Sequence, residues 1–454
     1  MTGRGISLIA VVCLAGVAGA QTKAPPPNAK DMPIPSRPTL PQGGADQGLA
    51  DRTLSAPEAV KIALAKQPTL ESVRQAVKYA EGRTRQLRAK LVPQLTIGGS
   101  YYSSRFMGDE PSRLELAVIN GYAANASLTQ LIFDSHHASD LVRQSDALKQ
   151  VALQDLARAK ADLALQVFAG YYLVGEARDL VQVNERNVTN RESQLELARS
   201  RFSSGLGGPV DVLTAQTAKG DAIVSLIQAR STEDAARTSL LQTLGLDPQT
   251  PIHFSDEAAS PVVVDDYDGF VASALAKRPE IRRAQASIDA AHYGARAARS
   301  TTTPTLSSSF GVTSSDPGFP GGGGSYGVGL ILSVPIYDGG FTAGAIKEAE
   351  ATLKSAQADL ATAQLQVRTD VSQAYLAVKA SEQQASIAKV NVDNAREALR
   401  IAEGRYKSGV GLFLDIINAQ AALLGAETTA ASAAAEVSRQ RVTLERAAGL
   451  LETP

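Results

Sequence analysis

The chain has 454 residues, with 45 Lys and Arg against 46 Asp and Glu and a net charge of -1, so it lacks the basic surplus a nucleic-acid partner calls for. Hydrophobic residues make up 44% but aromatics only 5%, with no Trp, a poor supply for one large compact core. The single cysteine, Cys13, excludes an intrachain disulfide and any Cys-based metal site.

Arg4 precedes an apolar run from Ile6 to Val17 that ends in Ala18-Gly19-Ala20, the small-x-small pattern of a signal peptidase site. Residues 1–20 therefore read as a signal peptide, since the run is shorter than the roughly 20 residues that span a bilayer. Ala10-Val11-Val12 before Cys13 does not end on a small residue, so lipidation is not expected. Residues 21–50 form a Pro-rich leader carrying Pro25, Pro26, Pro27, Pro33, Pro35, Pro38 and Pro41, a composition that stays extended and solvated. Beyond it no apolar stretch is long enough for a spanning helix. The exported chain is either soluble outside the cytoplasm or held in an outer membrane by strands.

The remainder is a duplication. Ala63-Leu64-Ala65-Lys66-Gln67-Pro68 recurs as Ala274-Leu275-Ala276-Lys277-Arg278-Pro279 at an offset of 211 residues, which Pro93 and Pro304 keep. Arg201-Phe202-Ser203-Ser204-Gly205 recurs as Arg405-Tyr406-Lys407-Ser408-Gly409, and Asp211 as Asp415, at an offset of 204. The two repeats span 54–250 and 262–450, a period too long for a solenoid and suited to a duplicated supersecondary block.

Each repeat opens with a helical stretch, about 56–90 and 266–300, and continues into two segments with period-two alternation. Tyr122, Ala124, Ala126 and Leu128 alternate with Asn125, Ser127 and Thr129. In the second repeat Leu306, Phe310 and Val312 alternate with Thr305, Ser307, Ser309 and Thr313, and Tyr326, Val328, Leu330 and Leu332 with Gly327, Gly329 and Ser333. These are strands with one oily and one small polar face. The most obvious turn-rich connection runs from Asp316-Pro317-Gly318 to Gly324.

Next comes an uninterrupted, Pro-free helical pattern over 135–203 and 339–407, which at ~1.5 Å per residue extends roughly 100 Å. Val167, Val174, Val181, Val188, Leu195 and Phe202 repeat every seven residues, as do Val371, Val378, Ala385, Val392, Leu399 and Tyr406. That spacing indicates left-handed coiled-coil packing. A shorter helix follows, about 210–245 and 413–449, with Ile416, Leu423, Ala430, Val437 and Leu444 as its stripe. The short turn makes it run back antiparallel. Small residues such as those from Ala430 to Ala435 let the rods approach closely.

Two hairpins cannot close a barrel in lipid, where open edges are forbidden and at least about eight strands are needed, so oligomerisation is required. In this order of elements, in the Leu332-Ser333-Val334-Pro335-Ile336-Tyr337-Asp338-Gly339-Gly340 run and in the Arg405-Tyr406-Lys407-Ser408-Gly409 run, the sequence resembles the TolC-like outer-membrane efflux protein family over about 54–450. The resemblance implies a mainly α fold with membrane β: helical hairpins forming an α-barrel, joined to a 12-stranded transmembrane β-barrel shared by a homotrimer. It further implies an outer-membrane exit duct that extends into the periplasm and works with a periplasmic adaptor protein and an inner-membrane transporter. The rival reading is an exported coiled-coil scaffold without a pore.

Candidate positions follow at two levels. At the strand-to-helix transition, Pro335 with Gly339 and Gly340 suits a strand swinging into a helix, and Asp134 and Asp338 read as helix N-caps. At the far end, Asp211 and Asp415 are first-turn acids that suit the helix dipole. The resemblance adds that Asp415, with Asn418 one turn on, faces a periplasmic aperture, that Arg405 and Tyr406 help hold it shut, and that Gly205-Leu206-Gly207 and Gly409-Val410-Gly411 meet the adaptor. Without it, Arg405 and Tyr406 cap the rod and fill its last heptad layer, and the glycine loops are tight turns. Tyr101, Tyr102, Phe106, Tyr122, Phe310 and Tyr326 are the available membrane-interface aromatics. His136-His137, His253 and His292 lack metal-ligand spacing, and no nucleophile elbow, phosphate loop or catalytic carboxylate pair stands out, so neither a cofactor nor an enzyme activity is expected.

Overall fold

A computed structural model describes residues 52–106, 117–255, 266–316 and 323–451. The signal peptide with Cys13, the Pro-rich leader and most of the Pro317 to Gly324 connection lie outside these residues, as do the side chains of Tyr102 and Phe106. In chain order the elements are β1 (Arg52–Leu54), α1 (Ala56–Lys66), α2 (Pro68–Ala89), β2 (Gln94–Phe106), β3 (Ala117–Phe133), α3 (His137–Ser203) and α4 (Pro209–Leu244). The second half follows with β4 (Ile252–Phe254), α5 (Tyr267–Lys277), α6 (Pro279–Ser300), β5 (Thr305–Asp316), β6 (Gly324–Ser333), α7 (Phe341–Lys407) and α8 (Phe413–Ala447).

The rods α3 and α7 each run 67 residues, about 100 Å, without a break. On α3 the seven-residue stripe is buried from Val167 to Leu195. On α7 the stripe is buried at Val371, Val378, Leu399 and Tyr406, with Ala385 and Val392 half-buried. α4 and α8 pack back along the tip half of their rods, and α2 and α6 cover the half nearer the strands. α3 also lies along α6 and α8 of the second half, which makes the seam between the two halves of the chain. A buried polar relay crosses this seam: Gln194 Nε2 donates to Gln420 Oε1 (3.2 Å), and Gln420 Nε2 donates to Asn187 Oδ1 (3.2 Å). Buried amides that satisfy one another fix which layers of the two helices meet.

Three features depart from or add to the sequence reading. The helical stretches 56–90 and 266–300 are each two helices, broken at Gln67 and Arg278, whose ψ values of 118° and 133° are extended. A residue before proline avoids the helical region, and Pro68 and Pro279 then open new helices at their first position, where no amide donor is needed. Secondly, β1 and β4 form a three-residue parallel ladder, Arg52 to Ile252 through Leu54 to Phe254, that no sequence pattern announced. It closes over the cluster of Val60, Val167, Tyr171 and Leu240 midway along the rods. Thirdly, the N-cap residues of α3 and α7 are His136 and Gly340, not Asp134 and Asp338. The aspartates sit two residues earlier yet still satisfy the helix start: Asp134 Oδ2 accepts from Ala138 N (2.6 Å), and Asp338 accepts from Gly340 N (3.0 Å) and Thr342 N (2.8 Å). Two successive left-handed residues make this possible, Ser135 and His136 in the first half and Gly339 and Gly340 in the second.

The four long strands form one antiparallel sheet in the order β2-β3-β5-β6. Its register aligns the alternating faces into rows: Leu95, Leu128, Phe310 and Val328 in one, Ile97, Ala126, Val312 and Tyr326 in the next. The Tyr101 and Tyr122 rings stack at 5.1 Å two rows further on. The opposite face carries Thr96, Ser127, Gly311 and Gly327. β6 stops at Ser333, two residues before Pro335, whereas the proline-free β3 pairs on to Phe133. Among the described residues β2 and β6 are both open edges.

Candidate functional site: the helix tips

Each rod turns back through a glycine held at positive φ, Gly205 (+73°) and Gly409 (+82°), the left-handed residue that commonly ends a helix. Leu206 N then bonds Arg201 O (2.9 Å) and Val410 N bonds Arg405 O (3.0 Å), closing the last turns. Gly207 and Gly411 serve close approach. A Cβ on Gly411 would lie 2.9 Å from Arg405 Cβ, and one on Gly207 would lie 3.2 Å from Arg201 Cβ. The tight backbone pushes Leu206 and Val410 outward into solvent.

Beside these loops one cluster joins the two halves. Arg201 Nη1 donates to the carbonyl oxygens of Tyr406 (2.8 Å) and Lys407 (3.1 Å), so a cation from α3 caps the C-terminus of α7. Its Nη2 also reaches Leu206 O at 3.3 Å. The same guanidinium lies 4.7 Å from the Tyr406 ring centre. Tyr406 Oη in turn donates to Asp211 Oδ2 on α4 (3.0 Å), and its ring packs on Phe413 at 5.4 Å. Burial and this bond to Asp211 push the Tyr406 hydroxyl pKa up, so it stays a donor well above neutral pH. Beneath lies the apolar layer of Leu195, Ala215, Leu399 and Ile416.

Of the candidates read from sequence, Asp211 and Tyr406 meet directly. Asp415 remains in the first turn of α8, where it accepts from Leu412 N (3.2 Å), and Asn418 is exposed on the next turn. Residues three apart share one helix face. Arg405 is exposed, and its guanidinium makes no hydrogen bond or ion pair among the described residues. Sequence reasoning passed over Arg201, although it occupies the repeat position of Arg405. It also passed over the Asn187, Gln194 and Gln420 relay, whose only signal was amides beside an apolar stripe.

A second charged cluster sits midway up the rods. Arg278 bonds Asp370 (2.8 Å) and Glu280 (3.1 Å), and Arg446 bonds Asp162 (2.7 Å) and Glu280 (2.7 Å). Burial works against the Glu280 carboxylate, but hydrogen bonds from Arg278 and Arg446 outweigh it and hold its pKa at about 2. These pairs tie α3, α6, α7 and α8 together. Among the described residues no group of His, Cys, Asp and Glu is arranged to hold a metal ion, and no helix is long and apolar enough to cross a membrane.

The family model described as "Outer membrane efflux protein" matches residues 59–246 and again 270–450. Protein CyaE of Bordetella pertussis is 27% identical over 405 residues, covering 87% of this chain and 84% of its own length. Outer membrane protein TolC of Escherichia coli K12 is 25% identical over 421 residues, covering 88% and 80%. The crystal structure of the outer membrane protein VceC from Vibrio cholerae superposes with a TM-score of 0.75 at 19% identity, covering 87% of this chain and 96% of that one.

Proposed function

Because the chain belongs to the outer membrane efflux protein family, we propose that three copies assemble into one continuous exit duct. The protein is an outer-membrane efflux channel that extends into the periplasm, and it is not an enzyme. Three copies of the four-stranded sheet supply 12 strands, with the rows of Leu95, Ile97, Val328 and Tyr326 facing lipid. The polar face with Thr96 and Ser127 then lines the pore. The helical hairpins continue the tube through the periplasm, Asp415 and Asn418 ring its inner end, and the exposed Leu206 and Val410 loops receive a periplasmic adaptor that brings an inner-membrane transporter. That transporter supplies energy and selectivity, and the duct is passive.

One observation carries this reading: a sheet with an apolar band across one face and two edges unpaired among the described residues is joined to helices about 100 Å long. Open edges are not tolerated in hydrocarbon, and one sheet of four strands cannot close. The purified protein, reconstituted in planar bilayers, is expected to run as a trimer and to conduct. Tip substitutions such as Arg201→Ala raise the conductance. A protein that never conducts, with or without those substitutions, is a coiled-coil scaffold and ends the proposal.

A further inference from the structure

The register places every second residue of the four long strands on the face opposite the apolar band. One row there is Thr96, Ser127, Gly311 and Gly327, and the next includes Asn125 and Ser325. Hydroxyls, amides and glycines dominate the face, and toward the rods it ends on Leu131 and Ile331, joined through Ser307. Among the described residues that face holds no Asp, Glu, Lys or Arg, in a chain that is 20% charged.

Packing does not impose this composition. Gly311 and Gly327 are register partners, and a Cβ on either would meet nothing within 4 Å, so there is room for a longer or charged side chain at both. Glycine inside a strand also weakens it, since it surrenders backbone freedom and packs no side chain. The charges at the rod end are screened from these rows. Asp134 lies nine residues from Asn125, roughly 30 Å along the strand at ~3.4 Å per residue, several times the ~8 Å screening length at physiological salt.

We propose that the sheet section of the duct is blind to charge: its lumen carries no fixed charge, and cargo and ions of either sign cross it alike. The inference rests on the duct reading, which turns this face inward. Pores select by sign where rings of like charge face the path, and three copies of these rows build rings of hydroxyls and glycines instead. A hydroxyl both donates and accepts, so it solvates an anion, a cation or an uncharged polar cargo without holding any of them in an ion pair. Discrimination by charge therefore falls to the helical tube and the transporter.

Near-isosteric thiols read the potential in the lumen. Ser127→Cys and Ser325→Cys, each in a Cys13→Ser background, are reacted in the reconstituted trimer with two small methanethiosulfonates, one carrying a quaternary ammonium and the other a sulfonate. Each rate is divided by that of a small neutral thiol in solution. The resulting cation-to-anion ratio is expected to lie within about twofold of unity, and a larger preference for either reagent overturns the proposal. Gly327→Asp combined with Ser325→Cys supplies the charge that the lumen lacks and is expected to raise the ratio about fivefold at low salt. A ratio that Gly327→Asp leaves unchanged also overturns the proposal, because neighbours on one water-filled face must feel each other's charge. Val328→Cys, on the apolar band, is expected to resist both reagents. If it reacts while Ser127→Cys and Ser325→Cys do not, the polar face is turned outward and the duct reading itself fails.

Discussion

At the sheet end β2 and β6 each leave a row of backbone amides and carbonyls unpaired among the described residues, beside an apolar band that includes Val328 and Tyr326. At the tip end the backbone is satisfied within each hairpin, and the halves meet through the side chains of Arg201, Tyr406 and Asp211. The contrast sets what each end can do. Backbone edges in hydrocarbon must be paired at every residue, so closure there is all or none. A few side-chain bonds of about 1 kcal/mol each can break and reform, so the tip is the end that can move.

The largest expected effect comes from charging the sheet face. In the proposed barrel Val328→Arg places a cation in the row assigned to lipid, at a cost of about 2–4 kcal/mol per chain near the bilayer midplane. Loss of the oligomer from the outer-membrane fraction is the expected readout, and Val410→Arg at the tip leaves assembly intact. Equal behaviour of the two variants would erase the contrast between the ends.

Between the ends, Glu280→Gln removes the carboxylate that Arg278 and Arg446 share and costs about 1.5–3 kcal/mol, read as a lower melting temperature. Because the folded carboxyl titrates at about 2, below its ordinary 4.5, its stabilisation is fully present above pH 4.5 and is lost as pH falls toward 2. Melting of the wild type should decline across that window, with a shallower decline in Glu280→Gln.

At the tip, Tyr406→Phe deletes the bond to Asp211 while keeping the ring over Phe413, a loss of about 1 kcal/mol. It should raise the open fraction in bilayer recordings without changing the melting temperature of the sheet. The smallest effect is a gain. His136 is an exposed non-glycine residue at φ 73° where the second half has Gly340, so His136→Gly should stabilise the protein by about 0.5–1 kcal/mol in thermal unfolding.

What was legible in the sequence has local periodicity behind it. Seven-residue spacing and the absence of proline give rods that run from His137 to Ser203 and from Phe341 to Lys407, and alternation marks the oily strand faces because side chains alternate across a pleat. The breaks at Pro68 and Pro279 were visible as prolines, but an apolar pattern continuing across them masked the boundary. The cap geometry at Asp134 and Asp338 depends on two consecutive left-handed residues, which Gly339-Gly340 advertises and Ser135-His136 does not.

The sequence by itself determined the two long rods, the returning helices and the oily faces of the long strands, since each follows from neighbours within one or two helical turns or strand pleats. Only the tertiary structure decided which Arg meets which carbonyl. Arg201 and Tyr406 are 205 residues apart in the chain, and their meeting depends on how far α3 slides along α8 before the Asn187, Gln194 and Gln420 layer locks. That register is a property of two packed surfaces, and no single stretch of chain carries it.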